Sequence, residues 1–362
     1  MSKVVIGLVL VGILFGGLWQ DDPIATFRDP RLEVAVKSTL GIHDRALRHS
    51  DLLHLTELSA PAQDIAHLDG LEACTALVSL DLSENRISDL RPLQGITSLE
   101  VLILRSNLVE DVSSLAGLSL LRTLNLDFNP VAEVTALSGL ANLEWLGLWN
   151  GRIHDVSPLA GMTKLTELGL GGNPVENPAM LSGLVNLEWL GLPNTGIEDI
   201  SFIARMTRLK KLSLGGNAIE DLSPLAELTS LEGLGLSLNR IVDIRPLAGL
   251  THLQRLSLWG NRIPSIEPLG GLTALVKLWI DGNPIAEIGP LAAMRDLAVL
   301  GLSETNVTDI APLTANPGLG EGDTVDLYNA QLDLSDDSPA RDIIAELSAR
   351  GATVRWRPEG EP

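Results

Sequence analysis

The chain has 362 residues and a formal net charge of −20, and 45% of its residues are hydrophobic although only 3% are aromatic. This acidic balance argues against nucleic acid and anionic membrane surfaces as partners, because both require clustered lysine and arginine. A single cysteine, Cys74, excludes an internal disulfide, and its place in an apolar column of the sequence predicts a buried, unreactive thiol.

The first twenty residues have the composition of a targeting segment. Lys3 precedes the uncharged run Val4–Trp19, and two aspartates follow shortly after it. A helix of this length spans about 24 Å, less than the roughly 30 Å of a bilayer core. We therefore expect residues 1–20 to be a cleaved secretory signal, with a retained N-terminal anchor as the alternative. On this interpretation the protein is exported to the periplasm, the cell surface or the medium, and it contacts a membrane only through this segment if it is uncleaved.

Residues 21–76 are predicted to form an N-terminal helical cap and a degenerate first repeat. Asp29 before Pro30 is typical of a helix start, and apolar residues continue to Leu40. In the degenerate repeat, Ala60 and Gln63 stand where later repeats have leucine and asparagine. Four apolar residues nevertheless keep the spacing of the later repeats: Leu58, Ile65, Leu68 and Leu71.

A period of 22 residues runs through residues 77–316 and defines eleven repeats. Leucine or isoleucine recurs once per period, at Leu82, Leu104, Leu126, Leu148, Leu170, Leu192, Leu214, Leu236, Leu258, Ile280 and Leu302. A period of this length indicates a solenoid of stacked units. The Leu-x-Leu segment of each unit alternates with period 2, which predicts a short strand with one buried face. Strands that repeat in the same sense must pair in parallel.

Two polar columns follow each strand. Asparagine fills the first in eight repeats, where a stacked row of amides can satisfy buried backbone groups of the turns. Gly151, Thr195 and Thr305 replace it in the other three repeats, and each has an asparagine beside it, which predicts that local hydrogen bonding shifts rather than disappears. An acid fills the second column in nine repeats, and proline stands three residues after this column in seven of the eleven repeats, which predicts capped 3₁₀ turns. A calcium ladder is the alternative, although the repeated Gly-Asp ligand pattern is missing.

The repeated pattern L-x-x-L-x-L-x-x-N-x-I-x-D-[IL]-x-P-L-x-x-L resembles the 22-residue class of leucine-rich repeat, found in internalins and in a phosphatase-regulatory subunit. The resemblance covers roughly residues 55–316. It implies an α/β solenoid with a curved parallel β-sheet on the concave face, short 3₁₀ turns on the convex face, and caps at both ends. It also implies ligand binding by the concave face. The repeat that begins at Leu165 departs from the pattern at Asn177 and Pro178, so we expect an altered convex loop there.

Residues 317–362 are predicted to form a C-terminal cap. After a polar loop, the sequence favours a strand at Val325–Leu327, a helix at Pro339–Arg350 and a final strand at Thr353–Trp356. Caps are required because open ends of a sheet invite aggregation.

Motifs of catalysis are missing from the sequence. H-x-x-x-H, C-x-x-C, G-x-S-x-G and the phosphate-binding loop do not occur. We therefore expect no catalytic residue, no metal site and no cofactor.

The outward positions of the predicted strands form the candidate site. Five of the seven tryptophans fall on these positions, with a floor of glycine between them and several charged residues alongside. The candidate ligand-binding residues are Trp145, Trp149, Trp189, Trp259, Trp279, Glu167, Lys211, Arg255 and Lys277. We expect a trough floored by bare glycines, among them Gly169, Gly171, Gly191, Gly215 and Gly235. The alternative is that each indole lies over a neighbouring glycine and only covers strand backbone.

These features predict a non-catalytic module that binds a protein or peptide on its concave face. A cell-envelope glycan receptor that uses the tryptophans, and a structural envelope scaffold, are the alternatives.

Overall fold

The computed structural model describes residues 22–356, so the predicted signal or anchor, residues 1–20, lies outside the described residues. One sheet of fourteen parallel strands dominates this part of the chain, with the strands in sequential order. Within the repeats, each strand residue pairs with the residue 22 positions further on, as Leu190 does with Leu212. The predicted curved parallel sheet and 3₁₀ turns of the solenoid are confirmed.

Short strands and short helices alternate along the chain. The strands are β1 (Glu57–Ser59), β2 (Ser79–Asp81), β3 (Val101–Ile103), β4 (Thr123–Asn125), β5 (Trp145–Gly147), β6 (Glu167–Gly169), β7 (Trp189–Gly191), β8 (Lys211–Ser213), β9 (Gly233–Gly235), β10 (Arg255–Ser257), β11 (Lys277–Trp279), β12 (Val299–Gly301), β13 (Thr324–Asp326) and β14 (Thr353–Arg355). The α-helices are α1 (Pro30–Leu40), α2 (His49–Leu52), α3 (Ala311–Ala315) and α4 (Pro339–Ala349). The 3₁₀ turns are Leu71–Ala73, Arg91–Leu93, Ser113–Leu115, Thr135–Gly139, Ser157–Leu159, Pro178–Gly183, Ser201–Ile203, Ser223–Leu225, Arg245–Leu247, Glu267–Leu269 and Gly289–Ala293.

Stacked aliphatic columns form the core between the sheet and the convex turns. The strand leucines, such as Leu190 and Leu212, are at most 3% exposed. Cys74 is buried as predicted, and its burial raises the pKa of the thiol to about 12. Among residues 22–356, no helix has both the length and the hydrophobicity of a membrane span.

The asparagine column is a ladder of side-chain hydrogen bonds. In a typical rung, the Asn261 Nδ2 donates to the carbonyls of Leu236 (3.0 Å) and Leu258 (2.8 Å), while its Oδ1 accepts from the Ile241 N–H (3.1 Å). Each rung therefore joins the backbone of two successive repeats.

The repeats that lack the ladder asparagine do not form the hydrogen bonds that the sequence predicts. Thr195 keeps one bond, from its Oγ1 to the Leu192 carbonyl at 2.8 Å. Asn150 and Asn194, beside two of the gaps, form no side-chain hydrogen bond within the described residues, so the expectation that they take over the ladder bonds is wrong. They instead have φ values of 53° and 54°, a left-handed conformation that asparagine tolerates better than most residues.

The acid column caps the convex turns as predicted. In seven repeats the carboxylate accepts a hydrogen bond from the backbone N–H two residues later, at Asp89, Asp111, Asp155, Asp199, Asp221, Asp243 and Asp309. At Asp89 and Asp243, side-chain and backbone hydrogen bonds from the following arginine hold the pKa at about 2. The altered convex loop is also present, because the turn that begins at Pro178 has six residues where most have three.

Both ends of the array carry additional elements. At the N-terminal end, the Asp29 carboxylate accepts from the Arg31 N–H at the start of α1 and from the Ala66 N–H (2.7 Å) in the degenerate repeat, which joins the two. At the C-terminal end, β13, α4 and β14 occupy the positions that the sequence predicts, and β14 extends the sheet by one strand. The described core therefore continues beyond the eleven repeats at both ends.

Candidate functional site

Each repeat turns four residues to the concave side, one more than alternation predicts. The N–H groups of Glu232 and Gly233 both bond to the Lys210 carbonyl, at 2.8 and 3.0 Å, and Gln254 and Arg255 share the Glu232 carbonyl in the same way. Two successive N–H groups thus share one carbonyl of the neighbouring strand, while the register of the strands stays at 22 residues. The residue before each strand therefore faces the same side as the first strand residue.

An open depression of about 280 Å³ lies on the concave face at β8–β11. The indoles of Trp189 and Trp279 bound it. A Cβ placed on Gly233 or Gly235 would meet no atom closer than 3.6 Å, so the space above these glycines is free. The depression is lined by Trp189, Lys211, Leu212, Ser213, Glu232, Gly233, Leu234, Gly235, Gln254, Arg255, Ser257 and Trp279.

The glycines nearer the N-terminus are covered, contrary to the expectation of a bare floor along the whole trough. A Cβ on Gly171 would lie 2.6 Å from the Trp149 ring, one on Gly191 would lie 2.8 Å from it, and one on Gly169 would lie closer still. Trp149 therefore extends over glycines of two neighbouring repeats. Its ring is stacked beside that of Trp189, with centroids 6.2 Å apart and planes at 18°. The Trp149 indole therefore covers strand backbone at these glycines, and the bare floor does not extend to them.

The predicted site residues consequently separate into two groups. Trp189, Lys211, Arg255 and Trp279 line the depression. The others lie outside it on the same concave columns: Trp145, Trp149, Trp259, Glu167 and Lys277. Trp145 lies over Gly147, and Trp259 is the most exposed of the five tryptophans, at 43%.

Glu232 and Gln254 also line the depression but were not among the predicted residues. Strict alternation places the residue before each strand on the buried side. The sequence did contain a signal for their outward position. Two residues separate the buried Leu231 from the buried Leu234, and both of these residues must then face outward.

Charged side chains on the concave face form ion pairs in one column but not in the column beside it. In the column before the strands, Arg122 pairs with Glu144 at 2.9 Å and Lys210 pairs with Glu188 at 2.7 Å. In the next column, the side chains of Lys211, Arg255 and Lys277 form no hydrogen bond or ion pair with another described residue. The depression therefore has an unpaired cationic side.

Two aspartates lie in the third outward column, of which Asp127 is buried and Asp281 is half-buried. Asp127 accepts a hydrogen bond from the Trp149 N–H at 2.8 Å, and Asp281 accepts one from the Ser303 N–H at 2.9 Å. Burial raises the pKa of both carboxyls, because desolvation disfavours their charged form. Both serve as backbone acceptors outside the depression. Among residues 22–356, no cluster of three or more histidine, cysteine, aspartate or glutamate side chains could hold a metal ion.

Comparison with known families identifies leucine-rich repeats in two parts of the chain. The family described as Leucine rich repeat matches residues 75–131, and the family described as Leucine Rich repeats (2 copies) matches residues 185–227, 229–271 and 251–293. The second family therefore covers the depression. No curated protein matches the chain.

Solved structures with the same fold come from bacteria and plants. An internalin of Listeria monocytogenes is 29% identical over 81% of this chain and 94% of its own, with a TM-score of 0.73. A leucine-rich repeat protein of Leptospira interrogans is 22% identical over 79% of this chain and 74% of its own, with a TM-score of 0.71. The Arabidopsis receptor kinase HAESA, in complex with a peptide hormone and a co-receptor, is 21% identical over 76% of this chain and 50% of its own, with a TM-score of 0.66.

Proposed function

Because the chain is a leucine-rich repeat protein of the 22-residue, internalin-like class, we propose that it is a non-catalytic module that binds a protein or peptide partner on its concave face. The open depression between Trp189 and Trp279 carries the proposal. An exposed indole is unfavourable in a monomer unless it contacts a partner. Tryptophan and arginine are also enriched among the few interface residues that contribute most of the binding energy. Arg255 lies between the two indoles.

The dimensions of the depression favour a chain segment over a small molecule. Trp189 on β7 and Trp279 on β11 are four strand spacings apart, or roughly 19 Å, which five or six extended residues span. The depression of about 280 Å³ is at the small end of the ~300–1,000 Å³ of typical small-molecule pockets, and it is open to solvent, whereas such pockets enclose most of their ligand. The complex of HAESA with its peptide hormone supports the use of this fold for a peptide.

A glycan is the second candidate, and the Trp149–Trp189 pair favours it. The two indoles lie nearly parallel, and Trp149 extends over glycine backbone, so together they form a broad aromatic surface on the sheet. The apolar C–H face of a sugar ring could stack on such a surface. A glycan would then contact Trp149 and Trp189 and would have no need of Trp279.

The test is selection of binders from a random twelve-residue peptide library displayed on phage, followed by affinity measurement with synthetic peptides. Trp189→Ala with Trp279→Ala should weaken binding at least about thirty-fold, as expected for hot-spot residues. The matched control is Trp145→Ala with Trp259→Ala, which removes two indoles of the same face from outside the depression. Unchanged binding in the first variant, or equal loss in the control, would place the site elsewhere. Binding on a glycan array that depends on Trp149 but not on Trp279 would favour the glycan receptor, and binding in neither assay would favour a scaffold.

Export remains a prediction from residues 1–20. Intact-mass measurement of protein from the cell envelope or medium should give the mass of a chain whose first residue lies shortly after Gly16. Full-length protein in the cytosol would contradict export and, with it, an extracellular partner.

A further inference from the structure

We propose that the partner presents an extended acidic segment whose carboxylates bind Lys211 and Arg255 while its backbone crosses Gly233. This inference rests on the proposed function and specifies the chemistry of the ligand. Three features of the concave face support it: the unpaired cations, their arrangement in the sheet, and the open floor between them.

The cations at the depression are left without partners in a chain that has an excess of carboxylates. The sequence contains 46 acidic residues and 26 basic ones. Lys210, one residue before Lys211, pairs with Glu188 at 2.7 Å, so cross-strand pairing is readily available on this face. Lys211 and Arg255 nevertheless form no ion pair with another described residue. An anionic ligand would supply the partner that the fold does not.

The sheet register places these cations in one row. Lys211, Gly233, Arg255 and Lys277 are successive partners across β8–β11. Arg255 and Lys277 therefore lie directly opposite each other on adjacent strands, and like charges in that position are destabilising. Lys277 lies outside the depression but adds to its positive potential.

Gly233 separates Lys211 from Arg255 and leaves the sheet backbone uncovered between them. The nearest atom to a Cβ at this position would be Lys211 Cγ at 3.7 Å. Glycine at such a position permits the backbone of a ligand to approach closely. Lys211 and Arg255 are two strands apart, about 9.6 Å, and carboxylates two residues apart on an extended peptide are separated by roughly 7 Å. The long side chains of lysine and arginine can close this difference.

Glu232 and Gln254 define the opposite side of the depression. Glu232 carries the only carboxylate among the lining residues, and it repels an acidic side chain. It can instead accept a backbone N–H of the ligand, as can the Gln254 amide oxygen. The acidic side chains of the ligand are thereby directed toward Lys211 and Arg255.

The same selected peptides test the inference. They should be enriched in aspartate and glutamate, and replacing those acids with asparagine and glutamine should weaken binding by about ten-fold. Lys211→Gln with Arg255→Gln should cause a similar loss, and binding of the acidic peptides should weaken as salt is raised from 50 to 500 mM. The control is Lys164→Gln with Arg208→Gln, the same change in charge at two exposed cations outside the depression, which should leave affinity within two-fold. Lys211→Glu with Arg255→Glu should reverse the preference toward lysine-containing peptides.

The possible outcomes separate this inference from the proposed function. Peptides that bind through Trp189 and Trp279 without acidic enrichment, or equally well as amides, would overturn the acidic ligand and leave the peptide-binding function standing. Selection of no peptide at all would overturn both. Binding to a polyuronate without any peptide binding would also overturn both and would indicate an anionic glycan.

Discussion

Removal of one asparagine rung should destabilise the solenoid by an amount that follows from its hydrogen bonds. Asn261 is 7% exposed, and its side chain makes three bonds of 3.1 Å or less to backbone groups. Two of its partners keep a second donor in Asn261→Ala, because Asn239 also donates to the Leu236 carbonyl (2.9 Å) and Asn283 also donates to the Leu258 carbonyl (3.0 Å). The Ile241 N–H has no other acceptor and is left unsatisfied.

These three contributions set the expected magnitude. A buried N–H without an acceptor costs about 1–3 kcal/mol, and each lost bond to a carbonyl that remains satisfied costs about 0.5–1 kcal/mol. We therefore expect Asn261→Ala to lower the free energy of unfolding by about 3 kcal/mol. Asn261→Thr should lower it by about 1 kcal/mol less than the alanine variant does, because Thr195 shows that a threonine here keeps one bond to the carbonyl three residues earlier.

Urea denaturation monitored by circular dichroism measures the loss, and hydrogen exchange measures its location. Exchange should increase mainly at residues 236–283, since each repeat contacts only its neighbours. The control is Asn142→Ala, which removes a partly exposed asparagine that donates to the Ser119 carbonyl and accepts from the Lys164 ammonium; water can replace both bonds, so stability should change by less than about 0.5 kcal/mol. A loss below 1 kcal/mol in Asn261→Ala, or the same loss in both variants, would refute the ladder as a source of stability.

Three further predictions follow from burial and backbone conformation. Leu190→Ala removes a fully buried side chain and should cost about 2–5 kcal/mol, with hydrogen-exchange protection lost near residues 168–236 and not evenly along the chain. Leu238 is 48% exposed with φ of 55°, so Leu238→Gly should raise stability by about 0.5–1 kcal/mol in urea denaturation, whereas Leu108→Gly, at an exposed position without positive φ, should lower it. Burial raises the pKa of Asp127, so its contribution to stability is greatest at acid pH and decreases as pH rises through the folded-state pKa. Asp127→Asn should therefore be more stable than the parent in urea denaturation at pH 7 and lose this advantage near pH 3; a constant difference at both pH values would contradict the assignment.

The fold follows closely from local pattern in the sequence. Leu190 and Leu192, separated by one residue, indicate a strand, and the asparagine column indicates the turn, because both depend on backbone geometry that every repeat shares. The acids at Asp89 and Asp243 identify the convex turns for the same reason. Such features are predictable because one repeat provides the environment of the next.

The details of the candidate site follow less directly, because they depend on the directions of long side chains. The column of Trp149 predicts its face of the sheet but not that its ring extends over Gly171 and Gly191 in the following repeats. The rotamer of such a side chain depends on residues about 22 and 44 positions away in the sequence, because a glycine at one of these positions leaves room for the ring. Glu232 and Gln254 were missed for another reason: the residue before each strand does not continue the alternation of the strand.

The uniform register of the sheet has a consequence for how such a protein can change over generations. Strand pairs from β2 to β12 are related by the same shift of 22 residues, so excision or duplication of one whole unit rejoins every leucine, asparagine and capping acid with an equivalent partner. The array can therefore grow or shrink by recombination between its own repeats. The residues that line the depression lie on or beside only five consecutive strands, β7 to β11. Repeats on either side of these strands can therefore be gained or lost without changing the shape of the depression.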